Sequence, residues 1–267
     1  MISAGSKMRA FFHELFVFTV KETRACIFAG SFLAVLMLSK SIPLAGMARY
    51  DFILIAAIAI QIALILTRVE TIAEVGVLTV FHALGLGLEL FKTQPHVGSW
   101  SYPEPALTKF WGVPLYSGFM YAAVASYMCQ AWRIMRLRLT GYPSHVISIT
   151  LSALIYANFF THHWLPDMRW WLVAAVVVVF ARTRVHFTIV EKERRMPLIA
   201  SFVLIGFFVW VAENMATFFG AWVYPNQAKV WSLVTTGKIS SWSLLVIVTF
   251  IIVADLKHVR DGSGTVD

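Results

Sequence analysis

Two glutamates, Glu89 and Glu213, fall inside long apolar stretches of this 267-residue chain. An unpaired carboxylate is costly to bury, so each must be protonated, paired or turned toward a wet cavity. His82 precedes Glu89 by two helical turns and so shares a helix face with it. Asn158 and His162 are i,i+4 neighbours, His163 follows at once, and Asn214 adjoins Glu213. A carboxyl kept protonated by apolar surroundings can act as a general acid, with histidine or tyrosine relaying the proton. Indole rings beside it could steady an electron-poor intermediate by cation–π contact. On this reading Glu89, Glu213, His162 and His96 are the candidate catalytic residues. Trp100, Tyr102, Trp222, Tyr224, Asn158, Asn214 and His82 are the candidate substrate contacts.

The same residue types also occur as buried pairs that merely lock helices together. A metal site built from His96, His162, His163 and a carboxylate is the weakest option. No Glu-x-x-His or His-x-x-x-His spacing is present, and adjacent histidines on a helix point apart. No metal and no cofactor is expected, since neither a Walker sequence nor a dinucleotide fingerprint occurs. Lys238 opens an apolar stretch at its edge and reads as a snorkelling lysine.

The elements that must position these residues are membrane helices. Hydrophobic residues make up 59% of the chain and charged residues 13%, against about 25% charged in soluble domains. The mean hydropathy is +0.73, which excludes both an ordinary water-soluble fold and a disordered chain. About eight apolar stretches near 24–38, 51–67, 72–91, 113–132, 146–160, 170–185, 196–219 and 239–254 are long enough to be spans. The predicted fold class is therefore all-α, a polytopic membrane helix bundle. It comprises an N-terminal interfacial segment at 1–23, one transmembrane domain at 24–255 and a cytoplasmic tail at 256–267. With eight spans, most of the 22 Lys and Arg fall on one side, including Arg133, Arg136, Arg138, Arg182, Arg184, Lys192, Arg194 and Arg195. That side is the cytoplasm, and both termini lie there. The excess over 14 Asp and Glu is then a rim facing anionic lipid, and no nucleic-acid partner is implied. The two cysteines, Cys26 and Cys129, fall toward the reducing side, where a disulfide is not expected.

The halves 24–132 and 146–255 resemble each other. Gly98-Ser-Trp100-Ser-Tyr102-Pro103 recurs as Gly220-Ala-Trp222-Val-Tyr224-Pro225, each after a span carrying Glu89 or Glu213. Arg49 and Arg169 open corresponding spans, which end in Thr67-Arg68-Val69 and Thr183-Arg184-Val185. A four-helix duplication predicts two copies running in the same direction about an axis along the membrane normal. The loops rich in Trp, Tyr, His and Pro all fall on the non-cytoplasmic side. His82 is the ionisable residue near mid-span, and the cytoplasmic half reads as otherwise apolar, which predicts a cavity open to one side.

Ala48-Arg-Tyr-Asp-Phe52, Glu89-Leu-Phe-Lys-Thr93, the run from His96 to Glu104, Gly112 to Tyr121, Asn158 to His163 and Ala212 to Gln227 resemble a bacterial membrane family known as domain of unknown function 817. The likeness covers nearly the whole chain. It implies a bacterial inner-membrane protein and assigns it no activity. The Gly-x-Trp-x-Tyr pattern followed by Gly112-Val-Pro-Leu115 is also similar to the integral-membrane carotenoid hydratases and lycopene cyclases, whose carboxylates protonate a polyene without a cofactor. Here Pro114 is followed by Leu115 and Tyr116 in place of that pattern's paired acidic residues. What this likeness implies is acid–base chemistry on, or binding of, an isoprenoid or lipid. A proton- or cation-coupled transporter and a structural membrane protein are the alternatives.

Overall fold

The computed structural model describes residues 4–261, and the side chains of residues 8–255. Of the tail expected at 256–267, residues 256–261 continue the last helix, while 262–267 and the side chains of Lys7, Lys257 and Arg260, which the charge count used, lie outside what is described. Among the described residues nine α-helices run in the order α1 (Ala4–Ala25), α2 (Ile27–Leu38), α3 (Arg49–Leu66), α4 (Ile72–Lys92), α5 (Ser117–Ile134), α6 (His145–Thr161), α7 (Arg169–Val179), α8 (Leu198–Phe218) and α9 (Lys238–Asp261). Helices α2 to α9 coincide with the eight apolar stretches. Four of them are long and apolar enough to cross a membrane: α3, α4, α8 and the Lys238–Asp255 part of α9. This is the make-up of a multi-pass membrane protein.

The sixth stretch departs most from expectation. Helix α7 has 11 residues, about 17 Å of helix against a hydrocarbon core of roughly 30 Å. It stops because Arg182 and Arg184 follow, and the chain turns into strand. Three strands, β3 (Arg138–Thr140), β4 (Arg184–Thr188) and β5 (Glu193–Pro197), form an antiparallel sheet in that order, following a short hairpin of β1 (Lys109–Phe110) and β2 (Val113–Pro114). The expectation of a purely α-helical chain is corrected accordingly. Of the basic cluster, Arg182, Arg184, Lys192 and Arg195 are exposed and Arg194 is half-buried. Arg194 Nε donates to Glu14 of α1 at 2.6 Å, Lys21 donates to the Thr188 carbonyl at 2.8 Å, and Phe18 meets Phe187. The sheet is thus fastened to α1.

Helix α1 continues almost without a break into α2, since Cys26 N–H still reaches the Glu22 carbonyl and Gly30 N–H the Cys26 carbonyl. Thr71 caps α4 by accepting from Glu74 N–H while Glu74 accepts from Thr71 N–H, the reciprocal pair that satisfies two orphan donors of a helix start. Helices α4 and α5 approach closely at Gly85, where a Cβ would stand 2.3 Å from the Tyr121 ring. Helices α8 and α9 do the same at Gly206 against Ser243. The largest core joins residues of α4 through α9, and a second joins α2 and α3 to the loops carrying Tyr102, Trp222 and Tyr224.

Arg49 ties one end of this bundle together. Its guanidinium is 8% exposed and donates to Ser39 Oγ, Glu104 Oε1 and the carbonyls of Leu36, Phe219 and Gly220 at 2.8–3.0 Å. One planar fork thereby satisfies orphan carbonyls at the C-terminal ends of both α2 and α8.

Candidate functional site

At that same end, Glu89 sits in the last turn of α4 and is 2% exposed. Its Oε2 accepts from Trp100 Nε1–H at 2.7 Å and Tyr102 O–H at 2.8 Å, and its Oε1 accepts from Tyr121 O–H at 2.9 Å. Trp100 and Tyr102 reach one oxygen because alternate residues of extended backbone project to one side. Glu213 of α8 is bound in the same manner. Tyr224 O–H donates to its Oε1 and Trp242 Nε1–H to its Oε2 at 2.6 Å. Burial first, and then the neighbouring carboxylate, holds the Tyr102 and Tyr224 phenols well above their ordinary pKa, so both remain O–H donors.

The two loops that supply these donors also pair with each other. Ser101 N–H donates to the Val223 carbonyl and Val223 N–H to the Ser101 carbonyl, both at 2.9 Å. These are corresponding positions of the two Gly-x-Trp-x-Tyr-Pro motifs, joined antiparallel. Gly98 and Gly220, which open the motifs, both have positive φ, +56° and +71°, where a side chain would be strained.

A cavity of about 100 Å³ lies against these clusters. Its wall includes four of the rings that hold the carboxylates, Trp100, Tyr121, Tyr224 and Trp242, together with Lys92, Arg169, Lys238, His162, Ser99 and Ser241. It shares Leu88, Tyr121 and Leu245 with a narrow apolar cleft lined by Phe81, Leu84, Gly85, Tyr156 and Val248. Lys92 is 4% exposed; its Nζ donates to His163 Nε2 at 2.8 Å and lies 3.4 Å from His162 Nε2. His162 Nδ1–H donates to the Asn158 carbonyl at 2.7 Å, which leaves its Nε2 lone pair facing the ammonium. Loss of water, followed by the Lys92 ammonium and the His162 ring, lowers His163 to about 4. Burial also lowers His162, against the pull of the Asn158 carbonyl. Lys238 Nζ lies 4.7 Å from the Tyr224 ring centre and 5.9 Å from that of Trp100. Arg169 pairs with Asp167 at 3.2 Å. Burial works to raise Asp167, but the Asn158 amide, the Arg169 N–H and its guanidinium bring it below the usual carboxylate range.

The candidate residues are therefore only partly gathered. Trp100, Tyr224 and His162 line the cavity, while Glu89, Glu213 and Tyr102 stand behind the lining rings. Asn158 steadies the α6–α7 loop, donating to Asp167 and accepting from Met168 N–H. Asn214 donates to the Trp210 carbonyl and accepts from Val234 N–H, both at 2.8 Å. His82 shares the α5-facing side of α4 with Glu89, where it packs edge-on against Phe119 and close to Gly118. Trp222 belongs to the apolar cluster, and its expected counterpart role beside Glu213 is taken by Trp242. His96 is exposed and stacks on Trp164. His162 and His163 do not point apart. Their ring centres are 4.1 Å from each other, because both lie beyond the last residue of α6. Among the described residues no three His, Cys, Asp or Glu side chains are grouped to hold a metal ion.

The half expected to face the cytoplasm is less apolar than its sequence suggests. Glu70 and Glu74, 2% and 5% exposed, are buried at the α3–α4 turn. Glu70 accepts from Gln61 and Ser126, and Glu74 pairs with Arg133 at 3.6 Å. Burial raises Glu70 above the usual carboxylate range.

Comparison with known proteins now places the chain. The family described as protein of unknown function (DUF817) matches residues 14–250. The chain belongs to the DUF817 family. A relative, the uncharacterized protein YoaT of Bacillus subtilis (strain 168), is 52% identical over 245 residues, covering 92% of each chain. No solved structure matches. DUF817 membership supports the likeness read from the motifs and adds no activity. The fainter likeness to carotenoid hydratases gains no support from these matches.

Proposed function

We propose that this DUF817 protein binds an amphiphile, a lipid or isoprenoid, in a cavity open to the non-cytoplasmic face of the bacterial inner membrane. One observation carries this reading: the polar cavity and the apolar cleft share Leu88, Tyr121 and Leu245. A chamber carrying three cationic side chains beside an apolar cleft of about 10 Å³, which side-chain movement must widen, suits a ligand with a head and a chain. Binding is favoured over acid catalysis by Glu89. Its two oxygens accept from three ring donors, and the rings of Trp100 and Tyr121, not the carboxylate, line the cavity. Glu89 and Glu213 are anchors, and the rings they hold are the binding surface.

Eight spans with both termini cytoplasmic agree with the Lys and Arg distribution. A 4+4 duplication relating α2–α5 to α6–α9 is supported by the antiparallel pairing of Ser101 with Val223. A pseudo-two-fold axis passing between two strands pairs equivalent residues in this way. Tyr121 and Trp242 add to it, each being the fifth residue of its helix and a donor to its half's glutamate.

The buried cluster of Glu70, Glu74, Ser126 and Arg133 favours a second reading, proton-coupled transport. It supplies the ionisable groups that a route to the cytoplasmic side would need. Native mass spectrometry of protein extracted in a neutral detergent separates the two. Binding predicts one amphiphile retained per chain and displaced by Leu245→Trp, which fills the shared wall. Transport predicts no retained amphiphile and a proton flux in liposomes that Glu70→Gln abolishes.

A further inference from the structure

We infer that the cavity is built for an anionic, phosphate-bearing headgroup held by Lys92, Lys238 and Arg169. The inference rests on the amphiphile reading and specifies its head. The cavity wall contains three cations and no carboxylate. Neither Lys92 nor Lys238 has a carboxylate within 4 Å among the described residues, and Arg169 has Asp167. Glu89 and Glu213 lie close by, but ring donors take up their oxygens. The protein itself therefore leaves two ammonium groups facing a space that only a ligand or solvent can fill.

Lys92 shows how unusual that arrangement is. Lys92 is a 4% exposed residue whose ammonium donates only to imidazole nitrogens and has no carboxylate in contact, a costly arrangement in an apolar setting. Lys238 Nζ lies over the rings of Tyr224 and Trp100, with no hydrogen-bond acceptor among the described residues. An anion between the two would supply the missing charge and the acceptors at once. The hydroxyls of Ser99 and Ser241, also in the wall, would donate to further oxygens of a tetrahedral group.

The same geometry argues against a cationic head. The ring faces that a quaternary ammonium would need already carry Lys238, and three fixed cations would repel it. A phosphomonoester dianion matches two ammonium groups that no carboxylate contacts.

The test uses the full-length protein in dodecyl maltoside, with binding of dodecyl phosphate, dodecyltrimethylammonium and inorganic phosphate measured by isothermal titration calorimetry. The expected result is saturable one-to-one binding of dodecyl phosphate, weakened at least tenfold in Lys92→Met and in Lys238→Met and retained in Lys238→Arg. Dodecyltrimethylammonium should not bind. Should Lys92→Met fail to fold, the two Lys238 variants carry the comparison. Equal affinity for the cationic amphiphile, or affinity unchanged in Lys238→Met, overturns the inference. Inorganic phosphate binding as tightly as dodecyl phosphate supports the anion site while overturning the amphiphile reading. Retention of a neutral lipid with no response to either phosphate overturns the anion site and leaves the amphiphile reading standing.

Discussion

Glu89 acts by what it accepts. Each ring donor to a buried carboxylate contributes about 1.5–3 kcal/mol, and losing one leaves an acceptor unsatisfied. Tyr102→Phe and Tyr121→Phe should each lower unfolding stability by about 1–3 kcal/mol. Glu89→Gln should cost more than either, because its amide N–H would meet ring donors in place of an acceptor. Thermal unfolding in detergent measures all three, and a fully stable Glu89→Gln would contradict the anchoring role. His163 supplies the pH dependence. It is held to about 4 in the folded protein against about 6.5 for an unperturbed histidine, so between those values the unfolded chain binds more protons. Stability should be complete above about pH 6.5 and decline as pH falls through about 4. His163→Gln should flatten that slope. At this scale the carboxylates and the Trp and Tyr residues are legible in the sequence, since charge inside an apolar run and a repeated Gly-x-Trp-x-Tyr-Pro pattern are local signals. Lys92 and Lys238 are not. A lysine at the end of a span looks like any snorkelling lysine until the α6–α7 loop and the Tyr224 ring are seen to enclose it.

The elements place those residues through a few close contacts. Gly85 lets the Tyr121 ring lie flat on α4, and a Cβ there would stand 2.3 Å from it. Gly85→Ala should force α4 and α5 apart and lower stability by about 1–3 kcal/mol, loosening Tyr121 from Glu89. Arg49 holds α2 to α8 through a buried fork. Arg49→Gln should cost about 3 kcal/mol, and Arg49→Lys should not restore it, because an ammonium cannot reach the carbonyls of both helices. Denaturant unfolding of the two variants checks this. Helix positions follow from apolar length and are readable to within a few residues, apart from the early end of α7 and the late end of α9. The β3–β4–β5 sheet is hidden in the sequence because five basic residues near 182–195 mask the alternation of Val185 and Phe187. Only their packing against α1 shows why a strand is favoured there.

For the whole molecule, the account requires the cavity and the α8–α9 loop to lie outside the cell. A cysteine introduced at Thr236, which is exposed, should react with a membrane-impermeant maleimide in intact spheroplasts. The native Cys26 and Cys129 should stay unlabelled, since Cys129 is buried and Cys26 half-buried near the opposite end. Labelling of Thr236→Cys only after lysis would invert the topology. The pairing of the two halves was partly legible as repeated motifs, but no sequence comparison reveals that the motifs hydrogen-bond to each other, because that contact joins residues more than a hundred positions apart. The most direct test of the central claim is a cryo-EM structure of the protein in nanodiscs made from its native lipids. The account predicts a head density between Lys92 and Lys238 with a chain running past Leu88 into the cleft of Phe81, Leu84 and Tyr156. A chamber filled by water alone, with that cleft closed by side chains, would contradict it.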